Sequence, residues 1–197
     1  MTVDAQKIKS KKCRICGEKF VPRRPLQPVC DEFSCKAAYA ERVADKARMK
    51  REKIERAADR EKRRALMTRS DWMKKAQAAF NAYIRARDRL AGHPCISSGR
   101  PLDWSANSTD AGHYRSVGSA PHLRFDERNC HAQSKQDNRY GSGCAVDYRI
   151  GLIARIGLAE VEALEADQTV KKWTIDDLKA ITERYTRRAN ELKKAIG

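Results

Sequence analysis

The chain has 197 residues, enough for one moderate domain with appendages. Its 42 lysines and arginines against 26 aspartates and glutamates leave a formal net charge of +16, which calls for a polyanionic partner, nucleic acid before any other. No apolar run is long enough to span a bilayer and the lysine-rich opening lacks a signal peptide's apolar core, so the expectation is a protein of a reducing cytoplasm, not bound to membrane, whose seven cysteines are thiols or metal ligands.

Residues 1–35 are expected to form a zinc-binding module with a basic tail. Cys13-x2-Cys16 and Cys30-x4-Cys35 are two close pairs across a short loop, the pattern that lets four thiolates surround one Zn²⁺ tetrahedrally. Pro22, Pro25 and Pro28 make the connection loop-rich, and Gly17 directly follows the first pair. Four protein ligands leave no open position, so the zinc is structural and the module depends on it to fold. Arg14, Lys19, Arg23 and Arg24 give it a basic surface suited to DNA phosphates. A knuckle that binds protein is the alternative.

Residues 36–69 contain no Pro or Gly and are dominated by Ala, Glu, Lys and Arg, which predicts one long basic helix of about 45 Å. Its apolar stripe (Ala40, Val43, Ala47, Ile54, Ala58) is thin, so the helix is solvated, paired with a partner helix, or laid along DNA. Ser70-Asp71 reads as an N-cap, and Trp72, Ala76, Phe80, Tyr83, Ile84 and Arg87 follow at helical spacing. The globular core therefore opens here and is expected to span 70–165. Gly92 and Pro94 stop the helix, and 95–128 read as a hairpin region with loops. His93 and His122, beside Pro94 and Pro121, belong to loops. Residues 129–140 are expected to form a short site helix, and 146–164 a helix pair broken near Gly157. A C-terminal helix within 166–197 opens on Thr174-Ile-Asp-Asp177, a capping box with Asp in place of Glu. Its Ile175, Leu178, Ile181, Tyr185, Leu192 and Ile196 share a face, and its basic residues, Arg188 included, fall mostly elsewhere. The fold class expected is α+β, mainly helical.

The chemistry is concentrated between Asp110 and Asn138. A histidine, then an asparagine, then a polar residue near a helix is the order of an HNH nuclease site, of the ββα-metal type. His113 is the candidate general base, because a neutral imidazole accepts a proton from water near pH 7. Asn129, sixteen residues on, fits the central asparagine of that motif, which in such sites pins the loop and orients the histidine. Asp110 and Asn138 offer hard oxygen ligands for Mg²⁺ or Mn²⁺, and His131 is a further candidate ligand. Such a cation stabilises the charged transition state. Arg115 or Arg139 is placed to hold a phosphate.

Cys13-Arg-Ile-Cys16-Gly, Ala78 to Asp88, Asp110-Ala-Gly-His-Tyr-Arg115, Asn129-Cys-His131 and Asn138 together make the chain resemble the NinG (Rap) family of lambdoid bacteriophage recombination proteins, over nearly its whole length. The resemblance implies a structure-specific DNA endonuclease of the host-cell cytoplasm that cleaves branched recombination intermediates such as Holliday junctions and D-loops. A homodimer is expected, since two opposed strands must be cut. Family members also tend to carry a second pair of Cys-x-x-Cys motifs around the site. Here these read Cys95-Ile-Ser-Ser98 and Ser134-Lys-Gln-Asp137, so no ordinary second zinc is expected, and packing or a rebuilt site using Cys144 or His131 must hold the hairpin to the helix. HNH enzymes often place a metal ligand directly before the base; that position is Gly112. Two rivals stay open: a branched-DNA-binding recombination factor with a degenerate, non-catalytic HNH site, and a zinc-finger adaptor for another protein.

Overall fold

The structure, a computed structural model, describes residues 9–105, 108–140 and 144–196. It divides into two compact units, Met1–Leu66 and Met67–Gly197.

In the first unit, β1 (Lys11–Lys12) and β2 (Lys19–Phe20) form a short antiparallel pair, Lys11 opposite Phe20. Helix α1 then runs over Phe33–Ala65. It begins before position 36 and carries Cys35 in its first turn, so the cysteine module and the long helix are one unit rather than two. The buried set is small: Cys13, Val29 and Cys35, with Phe20, Cys30 and Tyr39 against them. Along α1 only Cys35 is buried, as its thin apolar stripe implies. Lys62, Arg63 and Arg64 in the last turn suit the negative end of the helix dipole, and the helix closes at Leu66.

The second unit opens with α2 (Arg69–Leu90). Its N-cap is Thr68 rather than Ser70: the Thr68 hydroxyl accepts from the Asp71 N–H, and the Asp71 carboxylate accepts from the Thr68 N–H. This reciprocal pair satisfies two orphan donors, which a cap at Ser70 would not do. Strand β3 (Thr109–His113) pairs antiparallel with β4 (Cys130–Ser134), His113 opposite Cys130 and Asp110 opposite Gln133. Two 3-10 turns, Pro121–Phe125 and Glu127–Asn129, fill the connection. Helix α3 occupies only Lys135–Tyr140, so the first half of the expected site helix is strand. Cys-His-Ala-Gln-Ser has no strong preference of its own, and pairing with β3 decides its conformation. Helices α4 (Ala145–Ile156) and α5 (Leu158–Ala166) break at Gly157 as expected, and α6 (Ile175–Ile196) opens on the Thr174–Asp177 box.

The last helix is not an appendage. Leu178, Tyr185 and Ala189 of α6 join Trp72, Ala76, Phe80 and Ile84 of α2 in one core cluster, which also takes Ala111 and Cys130 from the hairpin. The Phe80 ring meets Tyr185 edge-on at 4.9 Å. A second cluster gathers Ile96, Leu123, Tyr148, Leu152, Val161 and Leu164. Gly151 of α4 lies so close to the backbone at Ile96 that an added Cβ would stand 1.9 Å from its carbonyl oxygen, so only glycine permits this approach. The strand–strand–helix run β3–β4–α3 is thus held on both sides by helices. Among the described residues no helix is long and apolar enough to cross a membrane.

Candidate functional site

Asn129 is fully buried at the end of the second 3-10 turn. Its Oδ1 accepts from the Arg115 N–H at 2.8 Å, and its Nδ2 donates to the carbonyls of Arg115 (3.0 Å) and Leu123 (3.3 Å). The Tyr114 N–H donates to the Asn129 carbonyl at 2.9 Å. Asn129 therefore ties the two residues after His113 to the chain leading into β4, Tyr114 through its carbonyl and Arg115 through its side chain.

His113 ends β3, half-buried, its ring 6.1 Å from that of Phe80. Nε2 lies 3.0 Å from the Arg124 carbonyl, which can only accept, so Nε2 carries the proton and Nδ1 keeps the lone pair. Nδ1 stands 3.6 Å from the Cys130 Sγ, a thiol that burial holds firmly neutral. Burial, joined by the nearby Arg124 charge and opposed by the Arg124 carbonyl, lowers the His113 pKa below 6.5. The imidazole is therefore neutral at pH 7 and able to take a proton. A cleft of ≈ 320 Å³ opens beside it, with Ala111, Tyr114, Ser116, Asn138 and Tyr148 among its walls.

Alternation along β3 sends Asp110 and His113 to opposite faces of the hairpin. Asp110 meets α3 instead: Asn138 Nδ2 donates to its Oδ2 at 3.1 Å, and Arg139 Nε lies 3.2 Å from the same oxygen. Gly112 shares the Asp110 face, where a Cβ would fall 2.1 Å from the Gln133 Oε1, so the side chain of Gln133 fills the place that a ligand at 112 would use. Asp110 and Asn138 are adjacent oxygen-bearing groups of the type that holds Mg²⁺ or Mn²⁺, once the Asn138 amide turns its oxygen toward the carboxylate.

Two sequence assignments are corrected. His131 is not at this pair: it is buried, with Nδ1 3.0 Å from Arg87 and Nε2 3.1 Å from the Arg128 carbonyl. Burial and the charge of Arg87, offset in part by Asp88, press its pKa down to about 3. Arg115 is spent on structure: its Nη1 donates to the carbonyls of Leu164 (2.9 Å) and Asp167 (2.6 Å) at the end of α5. Arg188, expected off the packed face of α6, binds Glu127 together with the hydroxyls of Tyr83 and Tyr185. Arg139 remains exposed beside Asp110.

Sequence reasoning missed the support behind the hairpin. Asp88, fully buried, accepts from the Ala132 N–H at 2.6 Å and from Arg87 Nε at 2.7 Å, while Arg87 reaches the carbonyls of Glu127 and Cys130. No spacing announces the links to the hairpin, since Arg87 and Asp88, though adjacent, reach partners forty or more positions away. The four positions of the altered Cys-x-x-Cys motifs do meet. Asp137 accepts from the Cys95 thiol (3.1 Å) and the Ser98 hydroxyl (2.9 Å), its N–H donates to the Ser134 Oγ (3.1 Å), and Arg100 lies 3.6 Å from its other oxygen. Burial opposes the ionised form of Asp137, but these donors outweigh it and lower its pKa. A hydrogen-bonded clamp thus joins the loop after α2 to α3, with the Cys144 thiol 3.8 Å from the Asp137 carbonyl.

In the first unit, the sulfurs of Cys13, Cys16, Cys30 and Cys35 all lie within 4.8 Å of one another, Cys16 and Cys30 at 4.0 Å. Tetrahedral zinc with bonds of about 2.3 Å needs sulfurs roughly 3.8 Å apart, so the set fits the ion. The Ile15 N–H points at the Cys13 sulfur (3.4 Å), and N–H donors of this kind, against the burial that opposes ionisation, bring the Cys13 thiol down to about 6. The four cysteines can hold a zinc ion; among the described residues no other group of three or more Cys, His, Asp or Glu converges in this way. Arg14, Lys19, Arg23 and Arg24 are exposed in the same unit, Arg23 paired with Asp31 at 2.9 Å.

These features define a mainly helical protein with a cluster of four cysteines that can hold a metal and a strand–strand–helix cleft. Residues 5–195 match the family model described as Bacteriophage Lambda NinG protein, and the chain belongs to that family. It is 39% identical over 200 residues to protein ninG of Enterobacteria phage H19B, covering 94% of each chain. It is 46% identical over 129 residues to protein ninG of Salmonella phage P22, covering 66% of this chain and 61% of that one. Protein ninG of Escherichia phage lambda is 44% identical over 131 residues, covering 66% of this chain and 62% of its own. No solved structure matches the chain.

Proposed function

We propose that the chain is a metal-dependent HNH-type endonuclease that cleaves branched DNA such as Holliday junctions and D-loops, acting as a homodimer in the bacterial cytoplasm. The observation that carries the reading is the fixed tautomer of His113. Its Nε2–H is committed to the Arg124 carbonyl at 3.0 Å, so Nδ1 is the one basic position the ring can offer at the cleft. In the mechanism, water entering the cleft replaces the weak thiol contact of Cys130 as donor to Nδ1. The imidazole takes the proton of the attacking water, which displaces the leaving oxygen with inversion at phosphorus. Asn129 acts by position, holding residues 114 and 115 so that the ring stays in line. Asn138, which lines the His113 cleft, and Asp110, bonded to it from the other face of the hairpin, would hold Mg²⁺ or Mn²⁺, which would supply charge stabilisation to the phosphate from the Asn138 wall. Arg139, exposed beside them, suits a non-bridging phosphate oxygen.

One observation favours the second reading, a branched-DNA-binding factor without cleavage. Asp110 is already satisfied by Asn138 and Arg139, so it has no need of a cation in the resting protein. The test is cleavage of labelled four-way junction, D-loop and linear duplex by wild type and His113→Ala, with Mg²⁺, Mn²⁺ or neither. Metal-dependent nicking by wild type alone is the expected result. Tight junction binding with no cutting in either metal would leave the binding reading in its place.

A further inference from the structure

Helix α1 gathers five of its six acids on one side, with Arg48 and Arg63 among them, and keeps another side purely basic. At about 100° per residue, Arg42, Lys46, Lys50, Lys53, Arg60 and Arg64 fall within an arc of about 80°. No acidic residue of the helix lies in that arc. Five of its six acids, Glu41, Asp45, Glu52, Glu55 and Asp59, fall within a second arc of about 80°, centred roughly 140° away. Glu61 lies outside both. Every residue of α1 from Ala40 onward is exposed. The ion pairs Arg48–Asp45 (2.9 Å) and Arg56–Glu52 (3.6 Å) are made by arginines outside the basic arc and hold two of the acids on their own side.

We propose that the Arg42–Arg64 face of α1 is a duplex-DNA binding surface that follows one sugar-phosphate backbone of a DNA arm. It rests on the DNA reading above but not on cleavage. The stripe is about 33 Å long, enough to meet several successive phosphates of one strand. Lysine and arginine spaced three and four residues apart, with one step of seven across Ala57, give a row of cations facing the phosphates, each releasing counterion on contact. The acidic arc explains why one backbone is followed rather than a groove entered. A helix sunk in the major groove meets phosphate walls on both flanks, and here one flank would present carboxylates. Contacts of this kind read charge and shape, not bases, so the surface binds duplex arms without sequence preference.

The test compares two full-length, zinc-loaded variants of equal charge. One is Arg42→Gln/Lys46→Gln/Lys53→Gln/Arg60→Gln, on the stripe. The other is Arg48→Gln/Arg51→Gln/Lys62→Gln/Arg63→Gln, off it. Glutamine keeps helix propensity close to that of the residues replaced, and far-UV circular dichroism checks the fold. Affinity for labelled duplex and four-way junction is measured against salt, without magnesium or manganese. The slope of log affinity on log salt should fall by about 3 to 4 for the stripe variant and by less than about 1 for the control. Equal losses in both variants, or none in either while wild type binds, would overturn the proposal and leave DNA binding intact. Failure of the wild type to bind DNA would remove the DNA reading and this surface with it. A sedimentation change confined to the stripe variant, with its salt slope unchanged, would assign the face to the acidic arc of a second copy instead.

Discussion

His113 and His131 lie eighteen positions apart, both beside the hairpin, and the structure gives them different work. His113 lines the cleft and has only a weak thiol contact at Nδ1, whereas His131 has both nitrogens engaged inside. If His113 is the base, the cleavage rate should rise with pH through a value below 6.5 and be flat between about 7 and 8, as initial rates at saturating metal would show. A rate still climbing there would mean another group limits the reaction. His131 bears on stability. Its pKa is 6.5 unfolded and about 3 folded, so below 6.5 the unfolded chain binds the extra proton and stability falls as pH drops toward 3. Between pH 7 and 5 this amounts to about 2 kcal/mol, and His131→Gln should flatten that slope in urea titrations. Asn129→Ala leaves the Arg115 N–H and two carbonyls without their partner, at a cost of about 2 to 3 kcal/mol, read as a lower midpoint of unfolding.

The elements are fixed partly by local chemistry and partly by contacts at a distance. Both long helices of the second unit start on a threonine–aspartate box, at Thr68 and at Thr174. Thr174→Ala should cost about 1 kcal/mol, and a loss below a few tenths would show that packing alone sets where α6 begins. Helix α3 is too short to hold its own position. The Asp137 clamp anchors it, and with it Asn138. Asp137→Ala leaves Cys95 and Ser98 without their acceptor and should loosen α3. Faster amide exchange in 135–140 with unchanged exchange in α2 is the expected signature, and unchanged exchange in both would show the clamp to be dispensable.

The two units rest on different physics. The second has two apolar clusters, while the first buries little beyond Cys13, Val29 and Cys35, two of them cysteines of the metal set. A core that small offsets little chain entropy alone, and a zinc ion held by the four cysteines would supply the balance. One zinc per chain is expected by metal analysis. Chelation should raise amide exchange across 11–35 to unfolded rates and leave the second unit unchanged. Loss of protection in both units at once would mean that they fold as one.

Much of this was legible in the residues. The cysteine spacing shows the metal set, because ligands close in sequence can converge with few constraints from the rest of the chain. The stripes of α2 and α6, the break at Gly157 and the Thr174 box are likewise local patterns of period 3.6 or of capping. What the sequence could not express is pairing. That residues 130–134 are strand follows from β3, twenty positions earlier, and from Asp88 receiving the Ala132 N–H. That His131 and Arg115 are occupied, that Arg188 belongs to the core polar cluster, and that Ser98, Ser134 and Asp137 still meet where cysteines stood in the family pattern, all depend on partners more than twenty positions away. Local propensity and spacing act within a few residues along the chain. A side chain's free positions are decided by which distant donors and acceptors burial brings beside it, and those only the tertiary structure supplies.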